Sequence, residues 1–510
     1  MRFTKENIAK IYAGIKKLAF KAAKKRHYTE ALWHFDNAAI VAYQFNWIFS
    51  DDEIENCIKD ISLNVIQKKK QKYEPVKNRY IFYDQIGNGR VLALQYLRAL
   101  MAWDVEILYV LETGRHSLPD TIIPEIENYK KAEVYILPNN IEDQMEKVQE
   151  IYDKIFDYQA EKVFFHSPAE GAFGVMLWNS LPKEIVRYRI VPGDHHYYLG
   201  VNVTDYSVGF RPFGLAIDRQ RRGYHPEQLL SQPYYPLIFN KNNFQGFPIE
   251  ETNDKIILLS GASIYKIYGS DIYFEIVKHI LDYDERTILL FAGVGNTSRL
   301  SQFIKENNYE SRLFHIGHRS DIYELMSRCD IYLGTYPFGG GLMTQYAALC
   351  KKPVIQYTKK INNEVAGFFD IESVLLPENG KNISVSHTEL DSLFKYAEAL
   401  IDDESFRKEE GERLHKRVVK EDEFNNLLYD LIHSKEIKKY EYTPISEENF
   451  NYTLDWYIET ENSWTHDCKN FLQNTYFIFF PNSHLIISNK RWYYRRLRRF
   501  LKKKGINVTT

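Results

Sequence analysis

Two successive series of short apolar segments, each alternating with amphipathic stretches, most constrain the fold of this 510-residue chain. The β-branched and aromatic runs of the first series are 80–85, 105–111, 132–137, 162–167 and 187–192. Those of the second series are 255–261, 287–293, 313–317, 330–335 and 352–357. Strands that alternate with helices predict a parallel sheet with helices on both faces. The sequence therefore predicts two α/β domains in tandem, with a ligand cleft between them.

The segments that flank the two series have helical character. From Thr4 to Leu63 apolar residues recur at helical spacing without a strand signal, which favours a helical bundle. Within it, Tyr28–Tyr43 also resembles one helical hairpin of a tetratricopeptide repeat. The stretch 226–253, rich in Pro, Gln, Tyr and Asn, is interpreted as the hinge between the sheets. The predicted parts are a helical lobe at 1–74, a first Rossmann-like domain at 75–240, a second at 241–435, and a helical return segment with a basic aromatic tail at 436–510.

The net charge of −2 conceals an uneven distribution of charge along the chain. Residues 1–27 hold nine Lys or Arg and one acid, residues 490–510 hold nine and none, and the body between them holds 48 bases against 67 acids. An acidic body disfavours nucleic acid as a partner, because nucleic-acid-binding domains spread basic surface over the fold. The tail 490–510, which interleaves aromatic residues with bases, is interpreted either as an interfacial helix on an anionic membrane surface or as a solvated segment.

Cysteine spacing and hydropathy indicate the cellular compartment in which the protein is expected. The four cysteines are far apart and form no C-x-x-C motif, which disfavours a disulfide framework or a zinc knuckle and indicates a reducing compartment. The N-terminal segment carries Lys every few residues, and no run of about 18 apolar residues occurs, so neither secretion nor membrane spanning is expected. We expect a cytoplasmic protein, attached peripherally to the inner face of the membrane if the tail binds there.

A glycine-rich turn at 339–341 is the most informative binding feature. It follows the run 330–335 and precedes a helix that begins near Met343. Three glycines let backbone N–H groups approach a ligand, and the helix N-terminus adds unpaired donors and the positive end of its dipole. A diphosphate fits this arrangement, with the Thr344 hydroxyl as a further donor, although a plain flexible turn has the same sequence. The turn matches neither the dinucleotide fingerprint nor the P-loop.

The ordered segments HIGHR, DIYELM, CDIYLGT, GGGLMT and ALCKKPVI within 315–355 resemble the nucleotide-binding half of glycosyltransferases with GT-B architecture. Among these the chain is most similar to the O-GlcNAc transferase and bacterial cytoplasmic N-glycosyltransferase group, over about residues 255–360. The resemblance implies an α/β fold of two Rossmann-like domains, with the helical lobe before them and the helical tail after. It implies a nucleotide diphosphate sugar as substrate, with UDP as the expected nucleotide, and neither a cofactor nor a metal.

The resemblance also assigns roles to individual residues. Lys266, in the loop after the run 255–261, is expected on the nucleotide diphosphate. Gly340, Gly341 and Thr344, with the preceding Gly339, are expected to hold the same diphosphate from the helix side. His318, just after the run 313–317, is expected near the base or the phosphates.

Two positions depart from the family pattern. Lys351 replaces the Gly of a Gly-x-Pro-Val strand, so a different turn is expected there. Tyr346 stands seven residues before the Pro of this strand, where many retaining GT-B enzymes carry a ribose-binding Glu. The missing carboxylate disfavours the retaining subgroup and leaves ribose recognition, the sugar and the base open.

The acceptor side is expected in the first α/β domain, above all in the segment 189–214. Its strand ends at Pro192-Gly193 and delivers Asp194, His195 and His196 together. An inverting transfer needs a base for the acceptor hydroxyl, and imidazole titrates near neutrality. His195 is the first candidate base, with Asp194 or His196 as the alternative, and a purely structural hydrogen-bonded pair is the competing interpretation.

Further acceptor-side candidates are Gly87 and Gly89, in the turn after the first strand, and His166, at the end of the run 162–167. A simple tight turn explains the two glycines equally well. The D-x-D at 282–284 falls in a helix-to-strand turn, and H-E-x-x-H does not occur, so no metal site is predicted.

These features predict a glycosyltransferase that moves a sugar from a nucleotide diphosphate sugar to a saccharide, lipid-linked or protein acceptor, without metal and with inversion. A lipid-linked saccharide of bacterial surface-polysaccharide biosynthesis suits the basic tail, whereas a protein acceptor suits the family resemblance. Two alternatives remain open. One is a nucleotide-sugar epimerase, which shares the fold and needs no acceptor, and the other is a non-catalytic GT-B-like partner of an active glycosyltransferase.

Overall fold

The computed structural model describes residues 3–86, 91–112, 122–137, 144–238, 243–362, 364–365, 374–377, 386–434 and 439–467. The candidates Gly87 and Gly89 and the basic tail 490–510 lie outside the described residues.

The N-terminal lobe consists of three helices, α1 (Lys5–Lys24), α2 (Tyr28–Phe45) and α3 (Asp52–Val65). Asn46 ends α2 in the left-handed conformation, at φ 52°, and the Asp51 side chain caps α3 by accepting from the backbone N–H groups of Glu53 and Ile54. The apolar faces of the three helices bury one another, as the helical spacing predicts. The segment that resembles a tetratricopeptide hairpin is one continuous helix, so that interpretation is wrong and the bundle is confirmed.

Glu55 of α3 joins this lobe to the first α/β domain. Its buried carboxylate accepts hydrogen bonds from the backbone N–H groups of Gly200 (2.5 Å), Val201 (3.2 Å) and Asn202 (3.4 Å). Burial raises the pKa of Glu55 to about 7, and the three N–H donors oppose this rise. Because the folded pKa lies above the reference value of 4.5, the folded state binds more protons than the unfolded state between these values. The stability that Glu55 contributes is therefore lost as the pH rises through this window.

We expect the wild-type chain to lose stability relative to the Glu55→Gln variant as the pH rises from about 5 to about 8. The amide retains an oxygen acceptor for the N–H groups and does not ionise, and a pKa difference of this size is worth roughly 3 kcal/mol. The measurement is the melting temperature of both proteins across this pH range. A difference in melting temperature that does not change with pH would contradict the raised pKa.

The first sheet has seven strands in the order β3-β2-β1-β4-β5-β6-β7, and all neighbours are parallel. The strands are β1 (Val76–Asp84), β2 (Glu106–Leu111), β3 (Ala132–Ile136), β4 (Ala160–His166), β5 (Val186–Ile190), β6 (Tyr206–Gly209) and β7 (Leu229–Ser231). All five predicted strands of this series are present. The last strand, β7, lies within the stretch 226–253, so the interpretation of that whole stretch as a hinge is wrong.

The second sheet has six parallel strands in the order β10-β9-β8-β11-β12-β15. The strands are β8 (Ile256–Gly261), β9 (Thr287–Ala292), β10 (Leu313–Gly317), β11 (Ile331–Leu333), β12 (Val354–Tyr357) and β15 (Ser386–His387), and the short pair β13 (Lys360–Ile361) and β14 (Glu364–Val365) forms a separate antiparallel ribbon. The five predicted strands are again present. The direction in which successive strands are added to the sheet reverses between β8 and β11. Open α/β sheets bind ligands at this position.

Helices cover both sheets. Those of the first sheet are α4 (Val91–Ala102), α5 (Ile122–Glu127), α6 (Gln144–Tyr158), α7 (Ala172–Trp178) and α8 (Pro212–Ile217). Those of the second are α9 (Ile272–Tyr283), α10 (Ser298–Glu306), α11 (Ile322–Arg328), α12 (Gly341–Leu349), α13 (Leu390–Asp402) and α14 (Glu404–His415). Each sheet therefore has a separate apolar core on each of its two faces.

The last two described helices return to the first half of the molecule. Helix α15 (Glu421–His433) packs against α4, where the rings of Phe424 and Tyr96 lie 5.3 Å apart. Helix α16 (Glu447–Asp467) reaches both the helical lobe and the β13–β14 ribbon. Asp455 of α16 pairs with Lys5 at 3.0 Å, and Trp456 packs on Phe338 with ring centroids 4.4 Å apart. Among the described helices, none is long and apolar enough to cross a bilayer.

Candidate functional site

A cleft of about 510 Å³ lies between the carboxyl-terminal edges of the two sheets. The first sheet contributes the loop after β5, the second contributes the loops after β8 and β11, and the ends of α2 and α16 complete the wall. The lining residues are Tyr43, Gln44, Asn46, Pro192, Gly193, Asp194, His195, Phe210, Arg211, Tyr234, Tyr265, Lys266, Phe338, Gly339, Gly341, Val374 and Tyr457. The cleft thus brings together residues that the sequence assigns to the donor side and to the acceptor side.

Lys266 is the cation on the donor side of the cleft. It follows β8 in a short 3₁₀ turn, Ile264–Ile267, and its ammonium donates to the carbonyl oxygen of Gly339 at 3.2 Å. The side chain is half-buried and pairs with no carboxylate among the residues that the structure describes. Burial lowers the pKa of Lys266, since nothing in its surroundings offsets the loss of water around the charge.

The glycine turn lies directly beside Lys266. It connects β11 to α12, whose first intrahelical bond runs from the N–H of Thr344 to the carbonyl of Gly340 at 3.0 Å. The preceding N–H groups of the first turn are consequently outside the helical ladder. The Thr344 hydroxyl is fully buried, has no hydrogen-bond partner among the described residues, and does not line the cleft. A Cβ on Gly341 would meet the Tyr234 hydroxyl at 2.8 Å, so a larger residue here would have to displace the Tyr234 side chain.

Asp194 and His195 occupy the opposite side of the cleft. The Asp194 carboxylate is buried and receives two hydrogen bonds from Arg211, at 2.5 Å from Nε and 2.9 Å from Nη2. Burial alone would raise the pKa of Asp194, but the Arg211 and His195 partners hold it well below its usual range. Asp194 is therefore a charged orienting group for the His195 ring, with its Oδ1 at 3.4 Å from Nδ1 of His195.

The imidazole of His195 is about 30% exposed in the cleft. Loss of water lowers the pKa of His195, and Asp194 opposes this effect. The ring is accordingly neutral at neutral pH, which leaves a nitrogen able to accept a proton.

His196 is buried and is not among the residues that line the cleft. Its ring packs on Tyr43 with centroids 4.2 Å apart, and burial lowers its pKa well below the usual value. Arg222 holds the loop from beneath, because its guanidinium donates to the carbonyls of Asp194 (2.9 Å) and His196 and pairs with Asp218 at 2.6 Å. The loop after β5 is thus rigid, and of its two histidines only His195 reaches the cleft.

Two other candidates from the sequence do not line the cleft. His166 is buried at the end of β4, where its Nδ1 lies 3.0 Å from Oδ1 of Asp84 and its Nε2 has no hydrogen-bond partner in the described part of the chain. His318 is exposed after β10. Gly340 is the N-cap residue of α12 and lies between two lining residues.

The two departures from the family pattern have structural explanations. Tyr346 is buried in α12, and its hydroxyl donates to the carbonyl of Leu237 at 2.5 Å, which ties the donor-side helix to the segment between the sheets. Lys351 has φ 59°, so it adopts the left-handed conformation that glycine favours, and its ammonium pairs with Glu412 at 2.7 Å. The turn that the lysine was expected to change keeps a glycine-like backbone.

Acidic clusters do not form a metal site in the described part of the chain. Asp282 and Asp284 lie at the end of α9, where Asp282 pairs with Lys278 at 2.5 Å and Asp284 with Arg286 at 2.7 Å. Within the described residues, no three His, Cys, Asp or Glu side chains converge as metal ligands.

The sequence gives no indication of four residues that line the cleft. Tyr43, Gln44 and Asn46 belong to the end of α2, and Tyr457 belongs to α16. The only local signal is Asn46, because Asn is common where a helix ends in the left-handed conformation. That signal predicts a helix end and not a place beside residues 150 positions later in the chain.

Comparison by sequence with family models and with curated proteins finds no match. Solved structures do match. Anabaena HepE, in complex with UDP and glucose, is 15% identical over 70% of this chain and 99% of its own, with a TM-score of 0.50. S. aureus TarM is 10% identical over 70% of this chain and 99% of its own, also with a TM-score of 0.50. The chain has the GT-B fold.

A third solved structure relates to the family that the sequence resembles. An O-GlcNAc transferase mutant from Thermobaculum terrenum is 13% identical over 87% of this chain and 82% of its own, with a TM-score of 0.49. The GT-B fold that the segment 315–355 predicts is confirmed by the two parallel sheets and their facing cleft.

Proposed function

We propose that this chain is a glycosyltransferase that moves a sugar from a nucleotide diphosphate sugar to an acceptor hydroxyl. Lys266 is the observation that carries the proposal. A half-buried cation without a carboxylate partner among the described residues is costly unless a ligand supplies the negative charge. The adjacent glycine turn, at the N-terminus of α12, offers backbone N–H donors to the same anion. A diphosphate supplies the negative charge that Lys266 lacks and accepts hydrogen bonds from the donors of the turn.

UDP is the proposed nucleotide. HepE, which shares the fold, was solved with UDP and glucose bound, and this supports a uridine nucleotide as the donor nucleotide of this chain. We place the diphosphate against Lys266, Gly339, Gly340 and Gly341. In this arrangement the sugar extends across the cleft toward His195.

The proposed reaction is a single displacement with inversion at the anomeric carbon. His195 accepts the proton of the acceptor hydroxyl as the oxygen forms its bond to the anomeric carbon, and the bond from that carbon to the diphosphate oxygen breaks. The nucleotide diphosphate leaves with the electron pair, and the proton stays on His195 until solvent removes it. Asp194, held by Arg211, stabilises the imidazolium that forms.

Charge compensation without a metal is part of the proposal. The negative charge that develops on the leaving diphosphate meets the ammonium of Lys266 and the N-terminal end of α12. These groups supply the electrostatic role that a divalent cation has in other sugar transferases.

The acceptor is proposed to be a saccharide, presented on a lipid at the inner face of a bacterial membrane. Helix α1 supports this location, because seven of its bases or flanking bases are exposed, namely Lys5, Lys10, Lys17, Lys21, Lys24, Lys25 and Arg26. Exposed lysines attract anionic headgroups. Flotation with anionic and neutral vesicles, for the full chain and for a chain that ends at residue 489, tests this location. Equal recovery with neutral and anionic vesicles would argue against it.

The deciding experiment incubates the full-length protein with a panel of uridine, guanosine, adenosine and thymidine diphosphate sugars. We expect thermal stabilisation by UDP, and release of UDP from one donor, in the presence of EDTA as well as of Mg²⁺. Conversion of the sugar without an acceptor would instead identify an epimerase. Stabilisation by UDP without turnover of any donor would identify a non-catalytic partner, and no response to any nucleotide would overturn the donor site itself.

A further inference from the structure

We infer that the end of α2 and the facing residue of α16 form the acceptor subsite, and that this subsite takes the neutral saccharide end of the acceptor. The inference rests on the proposed function, since it concerns the second substrate of the same cleft. Its residues are Tyr43, Gln44, Asn46 and Tyr457. The helical lobe and the returning helix therefore take part in acceptor recognition as well as in holding the fold together.

The four residues of this wall lie next to the loop that holds the candidate base, His195. Tyr43 packs on His196, the neighbour of His195, and Asn46 accepts a hydrogen bond from the backbone N–H of Tyr197 at 3.3 Å. The Asn46 side chain also bonds to the hydroxyl of Tyr457, which joins α16 to the end of α2. This wall thus adjoins the loop after β5, whereas Lys266 and the glycine turn belong to the second sheet.

The direction of the reaction identifies which substrate lies on this wall. A base must contact the acceptor hydroxyl, and the acceptor oxygen must approach the anomeric carbon from the side opposite the leaving diphosphate. The diphosphate is proposed to lie against Lys266 of the second domain, whereas the wall of Tyr43 and Gln44 adjoins His195 through the contact of Tyr43 with His196. The donor sugar occupies the space between, so the acceptor is the substrate that contacts α2.

The chemistry of the wall fits a sugar. It offers the aromatic rings of Tyr43 and Tyr457 together with the neutral amide of Gln44. Rings pack against the C–H faces of a pyranose, and amides exchange hydrogen bonds with its hydroxyls. The formally charged lining residues, Asp194, Arg211 and Lys266, all lie outside α2 and α16.

Gln44 is the residue of this wall with free hydrogen-bonding capacity. It lies half-exposed in the cleft, and its amide bonds to no residue in the part of the chain that the structure describes. Tyr43 is 45% exposed at the same helix end, although its ring rests on His196. Gln44 can therefore be changed without disturbing the packing under the candidate base.

The test is steady-state kinetics of the full-length Gln44→Ala and Gln44→Trp variants with the donor that the wild type uses. The acceptor probes are a panel of phenyl β-glycosides and a peptide that contains Ser, Thr and Asn. We expect Gln44→Ala to raise the KM of the glycoside acceptor about tenfold, with kcat and the KM of the donor unchanged. Gln44→Trp fills the subsite and should abolish transfer to the glycosides while slow hydrolysis of the donor persists.

A matched control is Gln302→Ala, on α10 outside the cleft, which should leave all constants unchanged. UDP binding and donor hydrolysis report on the proposed function, and their absence from the wild type would overturn that function first. If both are present, two results overturn the subsite alone: a wild-type acceptor KM in both Gln44 variants, or transfer to the peptide and to none of the glycosides.

Discussion

The His195→Ala variant is expected to lose about 10²–10⁴-fold in kcat for sugar transfer while it binds UDP as tightly as the wild type does. The imidazole lies at the edge of the cleft opposite Lys266, so its removal leaves the diphosphate contacts intact. The hydroxyl of the acceptor, however, loses the group that takes its proton. The measurement is the rate of UDP release with saturating donor and acceptor, together with UDP affinity by calorimetry.

The pH profile of the wild type tests the same role. Burial lowers the pKa of His195, so the ring becomes neutral below the usual titration range of histidine. We expect kcat/KM to rise with pH through this lowered pKa and then to remain level across neutrality. The sign follows because only the neutral ring accepts a proton, and acid converts it to the inactive imidazolium.

Two variants separate catalysis from packing. His279→Ala removes a histidine with the same 30% side-chain exposure from α9, outside the cleft, and should keep full activity. Addition of imidazole should restore part of the activity of His195→Ala, since the small base can enter the space that the side chain leaves. An active His195→Ala variant together with an inactive His196→Ala variant of unchanged melting temperature would transfer the role of base to His196.

The donor side of this cleft is predictable from sequence because the topology of parallel sheets brings it together. Lys266 follows β8 and the glycine turn follows β11, and both lie within the segment that resembles glycosyltransferases. Carboxyl ends of parallel strands meet at one edge, and β8 and β11 are neighbours at the point where the strand order reverses. A local sequence signal therefore translates directly into spatial proximity.

The acceptor wall is not predictable in this way. Gln44 and Tyr457 enter the cleft because α2 packs against α6 and α7 and α16 packs against α2. Helical periodicity specifies the buried face of a helix but not which neighbour covers its end. The same limit explains β7, where the short run Leu229–Ser231 within a Pro- and Gln-rich stretch carries too little alternation to indicate a strand. Its pairing with β6 depends on the sheet that is already formed.

The Lys266→Met variant is expected to lose about 10²–10³-fold in kcat/KM for the donor, along with most of the thermal stabilisation that UDP provides. Methionine keeps the length and the apolar stem of lysine and removes only the charge. Because the ammonium is the cation that faces the cleft from the second sheet, its loss leaves the leaving diphosphate with helix-dipole compensation alone.

The stability of the unliganded protein distinguishes this loss from misfolding. The pKa of Lys266 is lowered by burial, and no carboxylate among the described residues pairs with it, so its charge opposes folding in the absence of ligand. We therefore expect the melting temperature of unliganded Lys266→Met to equal or exceed that of the wild type. The melting temperature of the wild type should exceed that of the variant only when UDP is added.

Binding of uridine and of UDP to the same variants shows whether Lys266 contacts the diphosphate or another part of the nucleotide. Uridine lacks the diphosphate, so its affinity should be the same in the wild type and in Lys266→Met, whereas UDP affinity should fall at least tenfold. Lys352→Met, which removes another half-buried lysine of the second domain outside the cleft, should alter neither. Equal losses for uridine and UDP would mean that Lys266 shapes the pocket as a whole, and an unchanged UDP affinity would remove the diphosphate from this side of the cleft.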